Sequence, residues 1–284
     1  MRALALTLAL LAGPVAAERM TLGNCIAGLE ALAERSNAAL DATVRRLRQG
    51  VTGDGWCEMR GTQPGIEELG FDRLLWRAEG IDGFIAEGTP PMALSVRVLG
   101  LRPDDAPVGA VFDASLVLRQ VPEARQLLVE ELRVTSSLGD EVHITAVFDR
   151  VDVSTWSMAQ VSLGSLLLTR VILRAELEPI LARALWSELS VEFKGDPGAA
   201  RAAVERGLDA LPDTLLAPGA DAQILAFVDD MPSPRGELEI GLSADPGLGV
   251  LQFVLYGQSL YAALGQAPVP ALQGVTIDVI WAPE

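Results

Sequence analysis

Every second residue between positions 141 and 149 is apolar, and this alternation constrains the fold more than any other feature of the chain. The apolar members, which share one face of an extended segment, are Val142, Ile144, Ala146 and Phe148. The opposite face carries His143, Thr145 and Asp149, with Val147 among them. A period of two residues is typical of a strand with one face toward solvent, so the segment predicts an antiparallel sheet.

Apolar stretches of similar length predict further strands on either side of this segment. They span residues 71–78, 93–101, 108–119, 126–135, 237–243, 250–256 and 275–281. A short strand is also expected at 56–59. The sequence Ser136-Ser137-Leu138-Gly139-Asp140 is typical of a hairpin turn, and Asp245-Pro246-Gly247 indicates another turn. Residues 160–176 are apolar on both faces, which indicates a central strand.

Apolar residues recur at helical spacing in two other parts of the chain. Residues 22–49 form the first part, and the second contains Pro179, an Asp196-Pro197 helix start and a helix at 220–231. A short helix is expected at 260–264. The patterns together predict an α+β fold: a large, mostly antiparallel, curved β-sheet with an N-terminal helix and a helical segment around residues 179–231.

Residues 1–17 have the three parts of a secretory signal peptide. Arg2 gives a positive start, residues 3–12 form an apolar run, and small residues end at Ala17, the expected cleavage position. An uncleaved membrane anchor is the alternative, but the run is shorter than the roughly 20 residues that span a bilayer. We therefore expect a periplasmic or secreted protein with no membrane span after cleavage.

The remaining residues, 18–284, are expected to form a single α+β domain, because no Pro/Gly-rich stretch is long enough to be a linker. Four parts are expected within it. They are residues 18–60 (a helix and a disulfide-linked strand), 70–176 (a β-meander), 177–232 (a helical segment) and 236–284 (C-terminal strands).

Cys25 and Cys57 are the only cysteines. In an oxidising compartment, an even pair is most simply one disulfide. A metal site is the alternative, but two cysteines without a nearby histidine make a poor ligand set. Lipid attachment at Cys25 is disfavoured, because Asn24 stands where a lipoprotein has a small residue.

The chain carries 38 acidic and 22 basic side chains, which gives a net charge of −16. Such a surface repels phosphate backbones, and nucleic acid binding would lack its main electrostatic driving force. We therefore expect no nucleic acid partner.

His143 is the only histidine, which limits the available catalytic chemistry. Asp140, Asp149 and Asp152 are near it in sequence, and Ser136 and Ser137 lie across the turn. A hydrolase could be centred on His143, but no G-x-S-x-G elbow accompanies it. Zinc, P-loop and EF-hand patterns are also missing from the sequence. We therefore predict no catalytic, cofactor-binding or metal-binding residue and no cofactor, and we favour a non-enzymatic function.

Residues 163–173 lead to a hypothesis of function, because strands that are apolar on both faces need cover on both sides. That cover could be helices, a second sheet or an apolar ligand. We expect a non-catalytic periplasmic protein that binds an apolar, lipid-like ligand or an envelope protein through its sheet. The alternatives are a secreted hydrolase centred on His143 and a structural subunit of an envelope complex.

The order of features also carries a resemblance. A helix with Cys25 precedes a Trp56-Cys57 strand, the segment at 71–80 follows, and Pro232-Ser233-Pro234-Arg235-Gly236 leads into a later strand. In this order the chain resembles an uncharacterised family of alphaproteobacterial periplasmic proteins without an assigned activity. Its strand-rich middle is similar to AsmA-like envelope proteins, whose long β-sheets are associated with lipid handling. The resemblance implies a β-rich envelope protein and supplies no functional residues.

Overall fold

The computed structural model of the protein describes residues 19–36, 48–60, 69–103, 109–162, 164–193, 195–249, 272 and 274–284. The predicted signal peptide, with its cleavage position Ala17, lies outside these ranges. So do the strand expected at 250–256 and the helix expected at 260–264.

Strands dominate the described residues. They are β1 (Arg48–Val51), β2 (Cys57–Arg60), β3 (Leu69–Gly70), β4 (Arg73–Glu79), β5 (Ala93–Pro103), β6 (Phe112–Val121), β7 (Gln126–Ser136), β8 (Glu141–Asp149), β9 (Leu167–Leu177), β10 (Gly236–Gly249) and β11 (Val275–Pro283). The helices in the same ranges are α1 (Leu22–Ser36), α2 (Ile81–Glu87), α3 (Trp156–Ser162), α4 (Pro179–Phe193), α5 (Pro197–Asp209) and α6 (Ala220–Asp229), with a 3-10 turn at Pro122–Ala124.

Ten of these strands form one open antiparallel sheet in the order β1-β2-β4-β5-β6-β7-β8-β9-β10-β11, and β3 pairs with β5. The strands on this path pair in chain order, and short connections join several of the antiparallel neighbours, such as β6 to β7 and β7 to β8. The pairing register shifts within the β5–β6, β6–β7, β7–β8, β8–β9 and β9–β10 pairs. Such bulges bend strands and increase twist, which gives the sheet its curvature. The predicted α+β class with a curved antiparallel sheet is confirmed.

The N-terminal part of the sheet carries the first core. Cys57, Met59, Trp76 and Ala78 are buried there beneath α1 and α2, which contribute Cys25 and Phe84 among others. The Cys25–Cys57 disulfide is present, with 5.5 Å between the Cα atoms. It ties the first turns of α1 to β2, as the sequence predicted.

The C-terminal part of the sheet carries the second core. Leu238, Val279 and Trp281 are buried against Ala220 of α6 and the half-buried Phe227. The helices that follow β9 begin where the sequence predicted. Asp196 is the N-cap of α5, and its carboxylate accepts hydrogen bonds from the backbone N–H groups of Gly198 and Ala199.

Residues 48 and 49 were expected to end the first helix, and this prediction is wrong. They belong to β1, which forms a hairpin with β2 in which Val51 lies opposite Cys57. The Thr52 hydroxyl accepts a hydrogen bond from the Trp56 backbone N–H at 2.9 Å and closes the turn. The pairing partner is therefore what makes this segment extended.

The strand expected at 160–176 is central, between β8 and β10, but it begins only at Leu167. Residues 160–162 end helix α3 instead. Val171, Leu173 and Ala175 share one face of β9, and the other face carries Ile172 among Arg170, Arg174 and Glu176. One face of β9 is therefore apolar and the other is mixed.

The turn expected at Asp245-Pro246-Gly247 is a bulge inside β10. Ser243 pairs with Arg170 and Leu248 with Leu168, so the segment adds residues to one strand without reversing it. The Asp245 backbone N–H donates to the Gly274 carbonyl at 3.0 Å, which keeps the bulge attached to the neighbouring strand.

Candidate functional site

A row of apolar side chains crosses the middle of the sheet from one core to the other. Val96 lies opposite Leu116, Leu116 opposite Leu132, Leu132 opposite Ile144, and Ile144 opposite Leu173. Val96 packs against the N-terminal core and Leu173 against the C-terminal core. Because side chains directly opposite in a sheet share a face, both groups of helices cover the same face of the sheet.

The part of this face between the two cores is here called the central apolar strip. It consists of Ala114, Leu116, Leu118, Leu127, Val129, Leu132, Val134, Ile144, Ala146 and Phe148. These side chains are half-buried, except Ala146, which is buried. Among the described residues, none of them belongs to the cores beneath α1, α2 and α6. The described helices therefore pack at the two ends of the face.

A cavity of about 560 Å³ lies at one end of this strip. Gln120, two residues beyond Leu118 on the same face and opposite Leu127, lines it. The Gln120 side chain is fixed, because its amide donates hydrogen bonds to the carbonyls of Pro90 and Pro91 at 2.9 and 2.7 Å. The cavity is of a size that proteins use for small ligands.

The lining of this cavity combines polar side chains with glycines, prolines and apolar side chains. Arg125 and Asp152 supply opposite charges. Hydrogen bonds from the Ser154 hydroxyl and backbone N–H hold the pKa of Asp152 below its ordinary value. A lining that combines apolar groups with opposite charges is suited to an amphipathic molecule.

The opposite face of the sheet is lined with ion pairs. Arg119 Nε lies 2.7 Å from Glu130, Arg133 lies 2.6 Å from Glu141, and Arg174 Nε lies 2.7 Å from Glu239. The carboxylate of Glu141 raises the pKa of Arg133. The sheet is therefore amphipathic, with one charged face and one face on which cores and apolar strip are continuous.

His143 lies on the charged face, opposite Arg133 on one side and Arg174 on the other. Asp149 is six residues away on the same strand, about 20 Å along it, and accepts a hydrogen bond from Gln126. Asp140 is buried and accepts hydrogen bonds from backbone N–H groups at the start of α4. The structure therefore places His143 between two arginines and does not bring Asp140 or Asp149 to it.

The described residues hold no group of three or more His, Cys, Asp or Glu side chains arranged to bind a metal ion. No helix in them has the length and apolar character needed to cross a membrane.

Comparison with known proteins returned no relatives. No protein-family model matches the chain, and searches of curated proteins and of solved structures gave no significant match.

The cavity residues were not predicted from the sequence. Gly83 lies in α2, Gln120 in β6, and Arg125 and Asp152 in two separate connections, and they are brought together only by the pairing of β4 to β8. The available indication was the alternation in residues 141–149, which gives one apolar face. An apolar face must be shielded from water, but the sequence alternation does not predict which part of that face the helices pack against.

Proposed function

We propose that this chain is an exported, non-catalytic protein that binds an apolar, lipid-like molecule along the central apolar strip. The observation that carries the proposal is the row from Val96 to Leu173, whose ends lie in helix-covered cores and whose middle residues belong to neither. Removal of apolar surface from water is favourable by roughly 25 cal/mol of free energy per Å², so such a strip favours an apolar ligand.

The dimensions of the strip suit an extended acyl chain. β6 has ten residues and β7 eleven, so each strand extends for about 33–37 Å at roughly 3.3 Å per residue. An acyl chain occupies half of a bilayer core that is roughly 30 Å thick. One chain therefore fits along a strand, with its polar group at the cavity that Gln120 and Arg125 line.

Export supports the same proposal. The leader at residues 1–17 directs a chain to the periplasm or outside, and a disulfide is typical of proteins in such oxidising compartments. A periplasmic or secreted protein with an apolar face is suited to carrying or holding lipid-like molecules between membranes. The resemblance to AsmA-like envelope proteins agrees with this role.

The test is native mass spectrometry of the protein purified from periplasm without detergent, followed by lipid extraction of the same sample. We expect an adduct whose mass and extract identify a molecule with an alkyl or acyl chain. Purification of a fully unliganded chain that also fails to bind added palmitate would contradict the proposal.

A pair of variants in one strand makes the test site-specific. Leu132 lies in the central apolar strip, while Leu128 lies on the charged face opposite Val147, and both side chains are half-buried. Leu132→Gln should reduce bound ligand at least tenfold, whereas Leu128→Gln should retain it. Thermal unfolding of both variants controls for loss of fold. Equal ligand content in the two variants would place the ligand elsewhere.

A further inference from the structure

A second cavity, of about 340 Å³, lies at the other end of the sheet from the one beside Gln120. It lies between α4 and the segment that enters β10 and is open to solvent on one side. Its apolar walls are Ala182 and Trp186 from α4 and the prolines Pro232 and Pro234 from that segment. Pro234 is fully buried, so the wall that it forms is part of the packed structure.

Two arginines line this cavity without a carboxylate partner. Arg183 and Arg235 form no ion pair or side-chain hydrogen bond within the described residues, although arginines such as Arg102 and Arg174 form short ones there. In a chain of net charge −16, two guanidinium groups that line one cavity and pair with no carboxylate among the described residues form a local positive site. Planar guanidinium groups favour carboxylate and phosphate groups as ligands.

Glu178 lines the same cavity and is half-buried. Its backbone N–H donates a hydrogen bond to the Asp140 carboxylate at 3.0 Å, which fixes the position of Glu178 at the end of β9. Its carboxylate has no hydrogen-bond or ion-pair partner among the described residues. A ligand that carries a cationic group beside its anionic group would pair with this carboxylate as well as with the arginines.

We infer that this cavity binds a small zwitterion of the α-amino acid class with an apolar side chain. Its carboxylate would contact Arg183 and Arg235, its ammonium would contact Glu178, and its side chain would pack between Trp186 and the prolines. Aromatic and proline walls favour flat or branched apolar groups. The volume is at the small end of the range for ligand sites, which suits a molecule of this size.

The site is separate from the central apolar strip, so it does not depend on the function proposed above. Calorimetric titration of the purified protein with L-phenylalanine, phenylacetate and phenethylamine tests it directly. Phenylacetate lacks the ammonium group and phenethylamine lacks the carboxylate. We expect saturable binding of L-phenylalanine, with at least tenfold weaker binding of either analogue. No saturable binding of L-phenylalanine, or equal binding of phenylacetate, would overturn the inference.

Three variants assign the roles of the charged residues. Arg183→Ala and Arg235→Ala should each weaken L-phenylalanine binding at least tenfold, since each removes a carboxylate donor. Glu178→Gln should bring the affinities for L-phenylalanine and phenylacetate within about threefold of each other. Arg170→Ala is the matched control, because Arg170 also has no ion pair in the described structure but lies on β9 outside the cavity. Loss of binding in that control, or unchanged binding in all three variants, would refute the assignment.

Discussion

The Asp140 carboxylate accepts a hydrogen bond from the backbone N–H of Leu181, 41 residues further along the chain, at 2.9 Å. The same carboxylate accepts from the backbone N–H groups of Glu178 and Ile180 at 3.0 and 3.3 Å. The first N–H groups of a helix lack partners within it and attract negative charge. A residue of the β7–β8 turn therefore caps α4 and fixes that helix at the end of the sheet.

Asp140→Ala is expected to lower the free energy of unfolding by about 2–4 kcal/mol, because it leaves buried N–H groups without an acceptor. Asp140→Asn should lose less, since its amide oxygen still accepts. Urea unfolding measures both changes. The control is Asp213→Ala, at an exposed position, which should stay within about 0.5 kcal/mol of wild type. Equal stability of Asp140→Ala and wild type would show that the cap contributes nothing.

Removal of the Cys25–Cys57 disulfide is expected to lower the free energy of unfolding by about 3–4 kcal/mol. The bond joins residues 32 positions apart. A closed loop of that length lowers the entropy of the unfolded chain, which stabilises the fold by about 3–4 kcal/mol. The Cys25→Ala/Cys57→Ala double variant, measured by chemical denaturation, gives the value. A reducing agent should destabilise the wild-type protein by a similar amount and leave the double variant unchanged.

The strands β5 to β8 could be predicted because alternation is a local property, and the positions of Ile144 and Phe148 on one face follow from it. Helix α2 could not, because its seven residues lie between left-handed glycines, Gly80 and Gly88, and are too few to show a helical period. The bulge at Asp245 was mistaken for a turn because its residues are typical of turns. What keeps it in the sheet is the carbonyl of Gly274, which the local sequence does not indicate.

The two cavities show the same limit for function. Arg183 and Arg235 are 52 positions apart in the sequence and have no motif that relates them. They line one cavity because α4 follows the end of β9 and lies next to the segment that begins β10. Sequence patterns therefore predicted the sheet and its apolar face. The positions of the two cavities could be found only from the folded structure.

Trp281 is expected to contribute to stability through both its ring and its N–H group. The ring is buried and meets Phe227 edge-on at 5.1 Å, and Nε1 donates to the Asp230 carboxylate at 2.6 Å. Trp281→Phe should cost about 1–3 kcal/mol, since it removes a hydrogen bond to a charged group, and Trp281→Ala about 3–5 kcal/mol. Thermal unfolding checks both values. Trp186→Phe, at a half-buried cavity wall, is the control and should cost less than either.

Glu58 is expected to make stability depend on pH in the acidic range. The Arg60 side chain, 3.2 Å from its carboxylate, and then that of Arg73, at 2.7 Å, hold the pKa of Glu58 below its ordinary value of 4.5. A depressed pKa in the folded state means that the contribution is fully present above pH 4.5 and is lost as the pH falls through the lower folded value. The Glu58→Gln variant should therefore be less stable than wild type at pH 7, and the gap should shrink below pH 4.5.

Urea unfolding of wild type and Glu58→Gln between pH 3 and pH 7 measures this gap directly. Glu30→Gln is the matched control, because Glu30 is exposed on α1 and forms no ion pair within the described residues. Its difference from wild type should stay small throughout the range. A gap for Glu58→Gln that stays constant with pH, or widens on acidification, would show that the two arginines do not stabilise the ionised carboxylate. The residue would then stabilise β2 through packing alone, a contribution that does not change with protonation.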